Sequence, residues 1–373
     1  MTQLETLIQT LCPNGVKMVK LGDVANIQYG FPFNASLFTD EKNEKPIIRI
    51  RDIVPAQTST YYSGTVEGLD NYIIHRGDIL LGMDGYFNME KWDSEDAYLN
   101  QRVCKISTKN KDIVLEGFLF HYLRPQFKKI EQTTAGGSVI HLSAKIINNL
   151  QIPLPPLAVQ SEIVRILDKF TLYKSELAAE LAARLQQYEY YRDQLLTFDD
   201  TVKRVKLGEV ATIKNGKGYK DLGNGSIPVY GSGGIMTYVD TAVYDKPSVL
   251  IPRKGSLSNL FYLETPFWNV DTIFYTIINN EVIIPNFLFY LLQNMHLETL
   301  NKAGGVPSLT QEILNKISIP LPPLSEQERI VSILDRFDKL CHDIREGLPA
   351  EIDLRQKQYE HYRDKLLTFE AKG

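Results

Sequence analysis

Cysteine is almost missing from this chain: Cys12, Cys104 and Cys341 are the only three among 373 residues. Three thiols so far apart suit neither a disulfide framework nor a zinc site. No apolar run approaches the roughly 20 residues that cross a bilayer, and the first residues lack a basic stretch leading into an apolar one. A cytoplasmic protein without a membrane partner is expected. Catalytic signatures are wanting as well. There is no Gly-x-x-x-x-Gly-Lys-Ser/Thr loop, no Gly-x-Gly-x-x-Gly turn and no His-Glu-x-x-His pair. The six histidines show no metal-ligand spacing, and a lone histidine is more often a satisfied structural residue. The double prolines at 155–156 and 322–323 lack the Asn or Asp before them, and the aromatic after them, of an amino-methyltransferase. The chain is therefore read as non-catalytic, with no metal and no cofactor of its own.

What the chain does contain is duplication. Ile152-Pro153-Leu154-Pro155-Pro156-Leu157 returns as Ile319-Pro320-Leu321-Pro322-Pro323-Leu324. Ile163, Val164, Ile166, Leu167, Asp168 and Phe170 recur 167 positions later, as Ile330 through Phe337. Tyr188-Glu189 and Tyr191-Arg192-Asp193 recur as Tyr359-Glu360 and Tyr362-Arg363-Asp364, now shifted by 171. The difference of four is about one helical turn, which a helix can absorb as a stutter near Gly347 and Pro349; the same two residues interrupt the second helix, so a kink of its far half is the other expectation. The intervening segments repeat faintly: Lys20-Leu21-Gly22-Asp23-Val24 matches Lys206-Leu207-Gly208-Glu209-Val210, and Phe118-Leu119-Phe120 matches Phe287-Leu288-Phe289. A closely repeated frame with diverged inserts assigns assembly to the frame and discrimination to the inserts.

From Val159 to Leu196 the chain is free of proline and rich in Leu, Ala, Glu, Gln and Arg, which predicts a helix nearly 60 Å long at about 1.5 Å per residue. Ile163, Leu167, Phe170, Leu177, Leu181, Tyr188, Tyr191 and Leu195 fall on steps of three and four, a heptad seam. Ile330, Leu334, Phe337, Cys341, Ile344, Leu348, Ile352, Tyr359, Tyr362 and Leu366 make a matching stripe. The expected fold class is α+β: two globular domains alternating with two long helices that pair as an intramolecular antiparallel coiled coil about a pseudo-two-fold axis. An intermolecular coiled coil is the competing arrangement. The Tyr-Arg-Asp clusters are read as helix-end packing.

Within the inserts, short apolar runs at Pro46–Ile53, Gly77–Gly82, Arg102–Ile106, Ile227–Gly231, Ser248–Gly255 and Asp271–Ile277 read as strands. Helices are expected around Leu115–Leu123 and Asn286–Gln293. Residues 151–201 hold 5 basic against 8 acidic side chains and residues 319–373 hold 9 against 11. The inserts run from neutral (16 of each sign in 16–150) to slightly basic (11 against 9 in 202–318). Glycine-rich loops at Lys214–Lys220, Gly231–Gly234 and Arg253–Ser256 set Lys, Arg, Tyr and Ser beside a closely approachable backbone, which suits phosphate and base-edge contacts as well as plain turns.

Two diverged inserts, each followed by Ile-Pro-Leu-Pro-Pro-Leu, a glutamine at 160 or 327 and a long helix ending in Tyr-x-x-Tyr-Arg-Asp, resemble the specificity subunit of type I restriction-modification systems over nearly the whole chain. The resemblance implies target recognition domain 1 at 1–151 with a short N-terminal helix, a helical region at 152–201, target recognition domain 2 at 202–318 and a second helical region at 319–373. It implies that each insert reads half of a gapped sequence in double-stranded DNA and that the helices measure the unread spacer. The helices would also dock two methyltransferase subunits, which carry S-adenosylmethionine, and restriction or translocase subunits would join them. By this analogy the DNA contacts fall on Asn34, Arg49, Arg51, Asp84, Tyr86, Gln101, Arg102 and Ser138 in the first domain. In the second they fall on Lys217, Tyr219, Lys220, Tyr230, Ser232, Arg253, Lys254 and Ser256. Arg49 and Arg51, on one face of their expected strand, could instead be salt-bridged to Asp52. A coiled-coil-spaced protein-interaction scaffold without DNA specificity is the alternative.

Overall fold

A computed structural model describes residues 3–42, 44–65, 68–134, 141–300, 308–343 and 346–372. The chain forms two compact units, one of residues 1–176 with 353–373 and one of residues 177–352. Both units use the same frame.

Each frame begins with a two-stranded antiparallel clasp, Lys17–Lys20 with Gln151–Leu154 in the first unit and Arg204–Lys206 with Ser318–Pro320 in the second. Proline is tolerated there because a two-stranded ribbon leaves its N–H side unpaired. The clasp aligns Val19 with Ile152 and Val205 with Ile319, and the double proline then breaks the strand so that a helix starts at Leu157 or Leu324. Behind the clasp, the Leu-Gly-Asp/Glu-Val motif makes one helical turn, Leu21–Val24 or Leu207–Val210. Its glycine is packed tightly: a Cβ on Gly22 would lie 2.5 Å from Asn148 Oδ1, and one on Gly208 3.0 Å from Asn315 Oδ1.

A four-stranded antiparallel sheet follows in each unit, in the same order. In the first it runs Ala25–Tyr29, Val103–Thr108, Ile79–Gly82, Met89–Lys91. In the second it runs Ala211–Asn215, Ile273–Ile278, Ser248–Pro252, Phe261–Leu263. The smaller sheets differ, with five short strands in the first unit and three in the second.

The repeated glutamine is explained by what it holds. Gln160 is fully buried; its Oε1 accepts from Leu115 N–H at 2.9 Å and its Nε2 donates to the carbonyls of Ile113 and Pro155 at 3.0 and 2.8 Å. Gln327 repeats this with Ile284 N–H and the carbonyls of Val282 and Pro322, at 2.8, 3.0 and 2.9 Å. The side chain thus satisfies backbone groups at a helix start, where partners are otherwise lacking. A second repeated tie follows two helical turns later. Buried His121 donates from Nε2 to Asp168 at 2.7 Å, since a carboxylate only accepts, and its Nδ1 meets the Tyr359 hydroxyl at 3.1 Å. That bond holds the Asp168 carboxyl below its usual pKa. In the second unit Tyr290 takes the histidine's place and donates to Asp335 at 2.6 Å; burial and this bond push its phenol well up.

Three sequence expectations are corrected. Residues 46–53 are not one strand: Lys45–Ile48 is extended, then a 3-10 turn runs Ile50–Asp52. The Asp52 carboxylate accepts from Arg49 N–H at 2.8 Å and diverts the backbone into the turn. The helix expected near Leu115–Leu123 runs on to Thr134, as Glu116–Thr134, with Pro125 inside it. The second long helix is two, Leu324–His342 and Leu348–Leu366, so the four-residue excess is taken up as a break and not as a stutter. Gly347 caps the second piece, where a Cβ would lie 2.5 Å from Lys339 O and 2.7 Å from Asp343 O. Pro349 sits harmlessly in the first turn. Ile344 of the expected stripe lies outside the described residues.

The first long helix, Leu157–Leu195, is unbroken over 39 residues. Within the first unit Phe170 stacks on Tyr362 at 5.3 Å and Lys174 donates to Gln356 at 2.8 Å. Within the second, Phe337 meets Tyr188 and Tyr191 at 6.3 and 5.8 Å, and burial pushes the Tyr188 phenol up to about 12. Among the described residues no helix is long and apolar enough to cross a membrane.

Candidate nucleic-acid interface

In both units the same three loops converge at one end of the four-stranded sheet, drawn together by backbone hydrogen bonds at equivalent positions. In the first unit Met83 N–H donates to Arg102 O at 3.0 Å and Leu142 N–H to Met83 O at 2.7 Å, with a bridge between Asp84 and His141. In the second, Arg253 N–H donates to Thr272 O and Leu309 N–H to Arg253 O, both at 2.9 Å, with a bridge between Lys254 and Ser308. A fourth loop joins because Gly30 and Gly216 run against the carbonyls of Asn100 and Val270, where any side chain would collide. The helical turn behind each loop is capped by Ser143 or Thr310, whose hydroxyl accepts from the N–H three residues on.

Of the residues expected to touch DNA, Asp84, Tyr86, Gln101 and Arg102 come together in the first cluster. The Asp84 carboxylate is paired with Arg102 and accepts from His141 Nδ1 at 2.5 Å. Burial alone would push that carboxyl up; the bonds from His141 and Arg102 outweigh it and hold the group below the ordinary range. Tyr86 stands 67% exposed just past Gly85, whose φ of +71° makes the tight turn. Asn34 is elsewhere and is occupied as a cap, its Oδ1 accepting from Ser36 N–H at 3.1 Å. Arg49 is paired with Asp52 at 3.1 Å, with Arg51 at 3.9 Å from the same carboxylate. These two arginines are therefore not on a shared strand face, and their salt bridge with Asp52 is realised. Ser138 lies outside the described residues.

In the second unit Lys217, Ser232, Arg253, Lys254 and Ser256 gather at the matching place. Ser232 N–H donates to Thr272 Oγ1 at 3.3 Å, and a Cβ on Gly255 would lie 3.1 Å from Ser232 Oγ. Tyr219 and Lys220 line a cavity of about 470 Å³ with Met236, Asp271 and Thr272. Tyr230 turns instead toward Phe261, 5.4 Å between rings.

The two clusters differ electrostatically. Among the described residues of 202–318 the ion pairs are His296–Glu298 and Lys316–Glu312, and Lys217, Lys220, Arg253 and Lys254 join neither. In the first domain Arg49, Arg51, Arg76, Arg102, Lys105, Arg124 and Lys128 are all paired. Sequence reasoning missed His141, Thr272, Asp271 and the exposed apolar strand carrying Ile235, Met236 and Tyr238. The sequence signal for His141 was the repeat: aligning Leu142-Ser143 with Leu309-Thr310 brings its loop into register with that of Ser308. Among the described residues no group of three or more His, Cys, Asp or Glu side chains is placed to hold a metal.

A duplicated α/β frame with diverged polar loops gathered at the same end of each copy is the architecture of a two-domain recognition protein. The chain belongs to the type I restriction-modification DNA specificity family, matching its profile at 13–187 and again at 199–354. It is 31% identical over 370 residues to a putative type I restriction enzyme specificity subunit of Haemophilus influenzae, covering 87% of this chain and 95% of the relative. It is 38% identical over 325 residues to the EcoR124I/EcoR124II specificity subunit of Escherichia coli, covering 77% and 79%. In fold it is similar to the crystal structure of a type I S subunit from M. genitalium, with a TM-score of 0.59, 20% identity and 94% of each chain covered. A chain solved in work on assembly and conformational transition of the type I system has a TM-score of 0.55, with 18% identity and coverage of 95% and 98%. DNA sequence specificity is the function that follows.

Proposed function

We propose that the chain reads a bipartite, gapped target in double-stranded DNA, one half by the loops of the first domain and the other by those of the second. The observation that carries this is the repeated frame whose backbone ties are kept while the side chains on its converging loops are replaced. The long helices pair antiparallel as an intramolecular coiled coil and set the spacer. The register supports this: Phe170 meets Tyr362 and Tyr188 meets Phe337, so partners run in opposite directions. The same helices dock two methyltransferase subunits, and restriction subunits where present. Exposed Leu172, Tyr173, Tyr190, Leu354 and Tyr362 are the apolar surface for that docking. S-adenosylmethionine binds the methyltransferase partner, which flips and methylates the adenine in the cytoplasm; this chain supplies position, not chemistry.

Mapping methylated adenines in a host that carries the chain with its methyltransferase partner is expected to return a gapped two-part motif that disappears when the chain is deleted. A contiguous motif, or one independent of the chain, would refute the proposal. A gel shift with the assembled complex tests the electrostatics. Alanine at Lys217, Lys220 and Lys254 is expected to weaken binding across sequences and to flatten the salt dependence by about one unit of slope for each phosphate no longer neutralised. An unchanged slope would mean these lysines face away from the backbone.

A further inference from the structure

We infer that Arg102 reads a guanine in the half-site of the first domain, and that Asp84 and His141 are positioning residues that hold its guanidinium for that purpose. The inference deepens the proposed DNA-reading role and rests on it.

The arginine stands at the turn into strand Val103–Thr108, with its carbonyl bound by Met83 N–H at 3.0 Å. Its side chain is 59% exposed, yet it is anchored by a carboxylate that is only 10% exposed. Asp84 touches it through Nη1 alone. Among the described residues the Nε and Nη2 donors have no partner, and that edge is the planar fork matching the O6 and N7 acceptors of guanine. Asp84 accepts from His141 Nδ1 through its other oxygen at 2.5 Å, so both carboxylate oxygens are engaged in holding the cluster. Fixing a long side chain before binding removes the rotamer entropy that docking would otherwise cost.

A purely structural ion pair would serve to hold the loops together, and the second unit shows that no such pair is needed. There Lys254, Thr272 and Ser308 stand where Asp84, Arg102 and His141 stand here, and the same backbone bonds close the same loops. The charged cluster is thus an addition to one domain. An arginine neutralised by a buried acid is also a poor general phosphate anchor, because its charge is already compensated; its geometry remains.

The test is methylome mapping and duplex binding with the full chain assembled with its methyltransferase partner, comparing Arg102→Lys, Arg102→Ala and Asp84→Asn. The wild-type half-site assigned to the first domain must contain a fixed G·C pair. Both Arg102 substitutions are expected to make that pair degenerate, with binding to the parent duplex falling about tenfold to a hundredfold, while the other half-site and the spacer stay as they were. Asp84→Asn is expected to relax the same pair partially. The intact second half-site reports that each variant is folded. A half-site without G·C, an unchanged motif, or uniformly weaker methylation rescued by lysine, which keeps the charge and loses the fork, would each overturn the assignment while leaving gapped recognition standing. Absence of any gapped motif in the wild type would remove both.

Discussion

Leucine in place of Gln160 or Gln327 is expected to destabilise the unit that carries it by about 4 kcal/mol, from three buried backbone groups left unpaired at roughly 1–3 kcal/mol each, less what leucine recovers by its apolar burial. Most single substitutions cost about 0.5–3 kcal/mol, so this pair should stand out. The chain has two tryptophans, Trp92 in the first unit and Trp268 in the second. Urea unfolding followed in Trp92→Phe and Trp268→Phe backgrounds therefore reports each unit separately. Gln160→Leu should move the Trp92 transition and Gln327→Leu the Trp268 transition, with little cross-effect, because the two glutamines share no hydrogen-bond partner. Glutamate at either position keeps the acceptor and loses both donors, and should be nearly as harmful. A shift below about 1 kcal/mol would mean the freed backbone groups find water or a new partner.

Replacing residues 16–150 with the matching block of another family member is expected to change one half of the methylated motif completely and to leave the other half and the spacer intact. The exchange is physically feasible because the cut falls in the clasp, whose ladder of backbone hydrogen bonds does not depend on side-chain identity. One side chain must nonetheless be supplied by the donor. Asp168 stays with the recipient and needs a ring donor at the position of His121, either imidazole or the phenol that Tyr290 offers Asp335. Chimeras with an apolar residue there should lose stability, since the partly buried Asp168 carboxylate would keep its charge without its donor. Methylome mapping of the chimera decides the matter. If both halves change, or the spacer does, recognition is not partitioned between the domains as proposed.

Much of the frame was legible beforehand because its signals are local. Proline, helix formers and heptad spacing placed the Leu157–Leu195 helix within two residues at each end. Strands at Ile227–Gly231 and from Ser248 onward followed from apolar runs bounded by turn residues, the second ending at Pro252 and not at the expected Gly255. The errors came where a local signal was outvoted. Pro125 did not stop its helix, and the apolar run around Ile50 became a turn because one carboxylate, Asp52, captured the backbone beside it.

The candidate site was legible only in composition. Lys217, Arg253 and Lys254 were flagged as basic loop residues, but their lack of acidic partners depends on which carboxylates the fold brings near. Asp84 and Arg102 were singled out separately; that they form one cluster with His141, 57 positions from Asp84, could not be read from spacing. By itself the sequence determined that the chain is one frame used twice, with long helices and two diverged inserts, because repetition and periodicity are properties of neighbouring residues. The tertiary structure alone decided which of the described cations lack acidic partners and why Gln160 and Gln327 recur, because each depends on groups far apart in the chain meeting at hydrogen-bond distance.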